Sequence, residues 1–151
     1  MSLEGDIRTL RQVPLFEDLE TDQLRLLAFG ADHRQLRAGE VLFREAARAD
    51  AGFVIVSGTV VMVQGEGARE RVVGRFGPGT LLGEIALVTE TRRPATARTE
   101  SDCALIRIPR PVFRRMLEEF PAIAGALHER FARQLADMTR RIAAMESRFA
   151  D

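Results

Sequence analysis

A glycine–glutamate step and a later arginine bring together groups that can bind an anion and a hydroxyl. Gly83 and Glu84 open a segment in which residues 84 to 88 can form a single helical turn, and Arg93 follows a short spacer. The first N–H groups of such a turn have no partner within it and favour an anion. An ionised glutamate only accepts hydrogen bonds, so it suits a sugar hydroxyl, whereas arginine offers a planar fork to two phosphate oxygens.

These residues belong to a two-part motif. The first part reads G-E-I-A-L from Gly83, and the second reads R-P-A-T from Arg93. Together they resemble the phosphate-binding cassette of the cyclic nucleotide-binding domain family. A cyclic nucleotide carries one phosphate charge and one free ribose 2′-hydroxyl, which this set of groups fits. The resemblance implies that Arg93 binds the cyclic phosphate and Glu84 the 2′-hydroxyl, within a binding segment made of Gly83, Glu84, Ile85, Ala86, Arg93, Pro94, Ala95 and Thr96. The alternative is an ordinary turn glycine beside a surface Glu–Arg ion pair.

Two departures from the family pattern affect the expected ligand. Pro94 stands where the family usually has Ala, Ser or Thr, and proline offers no N–H to a phosphate. The missing threonine also removes a feature that resembles guanine preference, so we expect cAMP, with cGMP as the second choice, as a regulatory ligand and no cofactor. Ala46 stands where the family often has a turn glycine. Arg92 is an alternative phosphate ligand, although the Ala-Thr register favours Arg93.

Length and composition predict a single domain over residues 1–151. Acidic and basic residues balance at 22 each, so nothing indicates non-specific attraction to DNA or to an anionic membrane. Cys103 is the one cysteine and lies in an apolar run, which favours a small core residue over a reactive thiol. No apolar run predicts a membrane segment or a signal peptide, and we expect a cytoplasmic protein.

The pattern of residues predicts three regions: helical over 6–36, a β-roll over 38–109 that contains the cassette (83–96), and helical over 111–150. Thr21 is a candidate helix cap. Ser57-Gly58 reads as a two-residue hairpin between two β-rich runs. The predicted fold class is α+β and mainly β, an antiparallel β-roll similar to a double-stranded jelly roll, with N-terminal helices and a long C-terminal helix. This agrees with the fold that the resemblance implies.

The C-terminal region carries an apolar seam. Pro121 can begin a helix, and apolar residues then recur in steps of three and four through Leu127, Leu135 and Ile142. We expect a parallel homodimer through residues 121–150, the alternative being a helix packed on its own domain. Catabolite-activator-like members dimerise in this way, and the resemblance places Thr139 where those members contact the base. The alternative for Thr139 is an exposed helix threonine.

Three functions are open at this point. The first is a sensor that binds a cyclic nucleotide, without enzymatic activity and without a DNA-binding domain in this chain. The second is a degenerate β-roll that no longer binds nucleotide and serves only for dimerisation. The third is a metalloenzyme of cupin type, which is disfavoured because His33 and His128 lie in separate predicted helical regions and do not form a ligand cluster.

Overall fold

The computed structural model describes residues 2–133 and residue 136. The chain forms two compact units, Met1–Met116 and Leu117–Asp151. The first unit holds the β-rich part and is described first. The assignment of residues 1–151 to a single domain stays a prediction.

The first unit begins with two helices, α1 (Leu3–Arg11) and α2 (Thr21–Gly30), joined by a 3-10 turn over Pro14–Phe16. The N-cap of α2 is Glu20, and its N–H donates to the Gln23 side chain. The Thr21 cap was therefore placed one residue too late, because Thr21 already lies within the helix and its Oγ1 accepts from Arg11.

Among the described residues, ten strands follow these two helices. The prediction of helix through residue 36 is wrong at its end, because residues 32–36 form the first strand. This strand is missed in the sequence because its side chains are mostly exposed and polar, so it lacks the alternation of a half-buried strand. The strands are β1 (Asp32–Leu36), β2 (Val41–Phe43), β3 (Arg48–Ala49), β4 (Ala51–Ser57), β5 (Val60–Gln64), β6 (Arg71–Phe76), β7 (Leu81–Leu82), β8 (Thr91–Arg92), β9 (Thr96–Thr99) and β10 (Cys103–Pro109).

The strands form an antiparallel roll. One four-stranded sheet has the order β1-β10-β4-β7, a second has the order β2-β9-β5-β6, and β3 pairs with β8 in a small ribbon. Every pairing is antiparallel. The predicted fold class, an antiparallel β-roll with flanking helices, is confirmed.

The predicted hairpin at Ser57-Gly58 is wrong. The strands on either side, β4 and β5, belong to different sheets, so the chain crosses here from one sheet to the other. Gly58 has φ +90°, and a Cβ there would lie 2.3 Å from the Asp102 carbonyl oxygen. A glycine between two β-rich runs therefore signals either a hairpin or a sheet crossing, and only the long-range pairing decides between them.

The core lies between the two sheets. Buried side chains from both meet there, among them Phe53, Ile55, Val60 and Leu105. Cys103 is part of this cluster, and burial raises the pKa of its thiol, as expected for a core cysteine.

Helix α3 (Arg110–Glu119) follows β10 and packs Phe113 against Phe16, with ring centroids 6.2 Å apart. In the second unit, residues 121–133 are helical from Pro121 onward, as predicted, and Leu127 and Phe131 are buried. Leu135, Thr139 and Ile142, on which the predicted dimer seam and base contact depend, lie outside the described residues.

The loop between β2 and β3 contains a strained position. Ala46 has φ +69°, the left-handed region that disfavours a Cβ. Its N–H donates to the Arg93 carbonyl at 2.8 Å, which ties the loop to the second half of the cassette. The departure from the family's turn glycine at this position therefore has a conformational cost.

We predict that Ala46→Gly stabilises the protein. Removing the Cβ relieves about 1–2 kcal/mol of left-handed strain, and the added freedom of the unfolded glycine returns about 0.4–1 kcal/mol of that. The net gain is roughly 0.5–1 kcal/mol, measured by denaturant unfolding. Ala47→Gly is the matched control: it is the exposed neighbour without positive φ and should be destabilising. An Ala46→Gly variant less stable than wild type would contradict the assignment of strain.

Candidate functional site

The first half of the cassette is a short turn held in place by its buried residues. Gly83 has φ +80° and precedes a 3-10 turn over Glu84–Leu87, which confirms the predicted helical turn. The N–H of Ala86 donates to the Gly83 carbonyl at 3.1 Å. Ala86 and Leu87 are buried and anchor the turn, whereas Glu84 and Ile85 are half-buried.

The second half is fixed by the small ribbon of β3 and β8. Thr91 and Arg92 pair with β3, and the next residue, Arg93, donates its N–H to the Ala47 carbonyl at 2.8 Å. With the bond that Ala46 donates, both backbone groups of Arg93 are held. The chain direction then turns the Arg93 side chain inward, where only 5% of the residue is exposed.

The Arg93 guanidinium is buried with most of its donors unused. Its Nη2 donates to the Ala51 carbonyl at 2.8 Å, and its Cζ lies 4.2 Å from the ring centroid of Phe43 and 5.6 Å from that of Phe53. Its Nε and Nη1 are buried, and neither has a partner among the described residues. Burial lowers the pKa of Arg93, opposed in part by Asp50. Arginine nevertheless keeps its charge, so the site holds a desolvated cation.

The two halves of the cassette meet at Gly83. A Cβ on this residue would lie 2.3 Å from the Nη1 atom of Arg93, closer than any side chain permits. Glycine is required here both for its left-handed backbone and for the approach of the guanidinium. The sequence pairing of Gly83 with Arg93 thus corresponds to direct proximity in the structure.

The remaining predicted residues differ in their roles. Pro94 is exposed, and its carbonyl accepts from the Gln64 side chain at 2.8 Å. Ala95 is buried, and the Thr96 Oγ1 accepts from the Glu45 N–H at 2.9 Å. Arg92, the alternative phosphate ligand, is exposed and donates to the Ala46 carbonyl instead. Thr139 lies outside the described residues.

Several residues around the cassette were not identified from the sequence. Phe43 and Phe53 flank the guanidinium, and Ala51 supplies its acceptor. Their β-rich context predicts only core residues, because nothing in their types indicates a neighbouring charge. An open cavity of about 510 Å³ borders Thr96, and an Arg98–Glu70 pair at 2.7 Å lies on its wall. The hydrogen bond from Arg98 lowers the pKa of Glu70.

The described residues contain no cluster of His, Cys, Asp and Glu that could hold a metal ion. His33 lies in β1 and contacts the Asp6 carboxylate at 2.8 Å, and His128 is exposed in the second unit. Within the same residues, no helix has the length and apolar character needed to cross a membrane.

Comparison with known proteins identifies the family of this chain. A family model described as cyclic nucleotide-binding domain matches residues 33–120. A cyclic nucleotide-binding-like protein from Brucella abortus is 45% identical, with a TM-score of 0.69 over 75% of this chain and 97% of that one. The regulatory domain of Toxoplasma gondii PKA, crystallised with cAMP, is 30% identical, with a TM-score of 0.70 over 76% of this chain and 44% of that one.

A curated relative shows how small a part of a larger protein such a chain can match. The lysophospholipase nte1 of Aspergillus fumigatus is 31% identical over 114 residues, which are 75% of this chain but 8% of that enzyme. The similarity is confined to the cyclic nucleotide-binding domain, so it carries no enzymatic activity to this chain. The family model covers more than half of the sequence, and the chain therefore belongs to the cyclic nucleotide-binding domain family.

Proposed function

We propose that this chain is a sensor module in which Arg93 binds the phosphate of a cyclic nucleotide, with cAMP preferred. Glu84 accepts the ribose 2′-hydroxyl, the other cassette residues shape the pocket, and Thr139 meets the adenine edge. The module is not an enzyme and acts in the cytoplasm. The cAMP-bound Toxoplasma relative supports the choice of ligand.

The buried guanidinium of Arg93 is the observation that carries this proposal. A buried charge is costly unless it is paired, and here two of its donor atoms lack any partner in the described part of the chain. A ligand phosphate would supply both the counter-charge and the missing acceptors. The absence of a side chain at Gly83 allows Nη1 to lie directly against the start of the turn that carries Glu84.

One observation favours the second candidate, a degenerate β-roll. Arg93 already donates to the Ala51 carbonyl and stacks on Phe43, so the guanidinium could have a purely structural role within the roll. Pro94 also removes one phosphate donor. A purely structural arginine would, however, be destabilised by two buried donor atoms without acceptors. We therefore favour nucleotide binding.

The C-terminal helix is the proposed route by which the ligand-bound state is communicated beyond the binding site. We propose a homodimer through residues 121–150 that transmits the ligand state between subunits. The apolar seam that the sequence carries from Leu127 through Leu135 to Ile142 supports this interface.

We predict that Arg93→Met abolishes most of the affinity for cAMP while preserving the fold. A charged hydrogen bond contributes about 1.5–3 kcal/mol, so affinity should fall at least about tenfold. The free energy of unfolding without nucleotide should stay within roughly 1 kcal/mol of wild type, because lost pairing to Ala51 is offset by removal of a buried charge. Calorimetry and denaturant unfolding measure the two quantities.

The matched control is Arg92→Met, which changes an exposed arginine next in sequence. It should leave cAMP affinity unchanged. Loss of affinity in Arg92→Met instead of Arg93→Met would mean that the register of the motif is displaced by one residue. A wild type that binds neither cAMP nor cGMP at millimolar concentration would favour the degenerate roll.

We predict that the wild type prefers cAMP and that Pro94→Thr shifts this preference toward cGMP. Threonine restores an N–H and adds a hydroxyl, and position 94 is exposed enough to accept it. One neutral hydrogen bond contributes about 0.5–1.5 kcal/mol, so the shift is modest. Pro94→Ala, which restores the N–H alone, separates the two effects. Titration of cAMP and cGMP against the wild type and both variants measures the preference. If the affinity of Pro94→Thr for cGMP does not rise relative to that for cAMP, residues other than position 94 determine the selectivity.

We predict that the wild type is a dimer and that a Leu135→Glu, Ile142→Glu double variant is a monomer. Two like-charged carboxylates per chain in an apolar seam carry a desolvation cost that pairing cannot recover. Light scattering at micromolar concentration measures the mass of each. A monomeric wild type, or a double variant that remains dimeric, would reject this interface.

A further inference from the structure

Arg110 connects the start of α3 to two places in the roll. As the first residue of the helix, it donates its N–H to the Asp50 carbonyl at 2.9 Å. Its side-chain Nε donates to the Ala86 carbonyl at 2.8 Å, and its Nη2 donates to the Ala49 carbonyl. One half-buried side chain thus bonds to two separate backbone segments.

These two segments carry the two halves of the cassette. Ala86 belongs to the 3-10 turn that begins with Glu84. Ala49 lies in β3 and pairs with Thr91 in β8, two residues before Arg93. The guanidinium of Arg110 therefore bridges the 3-10 turn and the β3–β8 ribbon and fixes the distance between them.

We propose that Arg110 is a positioning residue that holds the two halves of the cassette in their binding geometry. Its effect on nucleotide affinity rests on the proposed function. The guanidinium is planar and rigid, so a shift of the turn relative to β3 cannot keep both of its bonds unless Arg110 moves as well.

Arg110→Lys tests this role, because lysine keeps the charge but presents a single ammonium group that cannot reproduce the fork. Arg114→Lys is the matched control, an exposed arginine one turn further along the same helix. Both variants are prepared in the full chain, and amide exchange is followed by NMR without nucleotide and with cAMP.

Without nucleotide, Arg110→Lys should speed exchange at Ala86, Val88 and Thr89, the amides that donate within the turn, by about tenfold or more. The core amides of Ile55 and Ile106 should exchange as in wild type. Unchanged protection of the turn, or equal loss in Arg114→Lys, overturns the positioning role. A uniform loss that includes the core assigns Arg110 to global stability instead and also overturns it.

With cAMP, Arg110→Lys should bind about tenfold more weakly than wild type by calorimetry, and Arg114→Lys should bind normally. Equal affinity of Arg110→Lys and wild type overturns the positioning role. If wild type binds no nucleotide, the proposed function fails, and Arg110 is judged by the exchange of the free protein alone.

Discussion

The burial of the Arg93 guanidinium is the constraint around which the cassette is arranged. Arg93 is held by its backbone to the β2–β3 loop, stacked on Phe43 and bonded to the Ala51 carbonyl. Each contact comes from a different segment, so the cation is placed only when the roll has closed around it. A desolvated charge without a direct ion-pair partner is costly to bury, so these contacts must hold it in place. The glycine at 83 follows from the same constraint, because a side chain there would displace the guanidinium.

The topology explains how distant parts of the sequence supply these contacts. β4, which contributes Ala51 and Phe53, pairs with β10 and β7 in one sheet, whereas β9, which follows Arg93, pairs with β2 and β5 in the other. The cassette connects the two sheets through β7, the 3-10 turn and β8. The position of this segment depends on both sheets, because it is connected to each of them. Arg110 adds a hydrogen bond from α3 to the Ala86 carbonyl in this segment.

Sequence reasoning predicted the parts of the structure that depend on local residue types. The glycine of the cassette and the short turn after it are local signals, and the strands with apolar alternation were recognised. The strand at residues 32–36 and the crossing at Gly58 were not, because both depend on pairing with β10 and on sheet assignment, which no local pattern carries. Phe43, Phe53 and Ala51 escaped notice for a related reason. Their role beside a charge arises from three-dimensional proximity to Arg93, whereas their types indicate only a core.

Violations of the usual rules of protein structure concentrate at this one site. In the described part of the chain, the buried side-chain donors without a partner both belong to Arg93. The non-glycine residue with positive φ among the same residues is Ala46, whose N–H bonds to the Arg93 carbonyl. Local conflict inside an otherwise consistent fold is characteristic of a functional site. A feature that destabilises the free protein can be relieved when the ligand binds, and this relief then adds to the affinity. The stability of the free roll and the affinity of its cassette are therefore opposed through the same arginine.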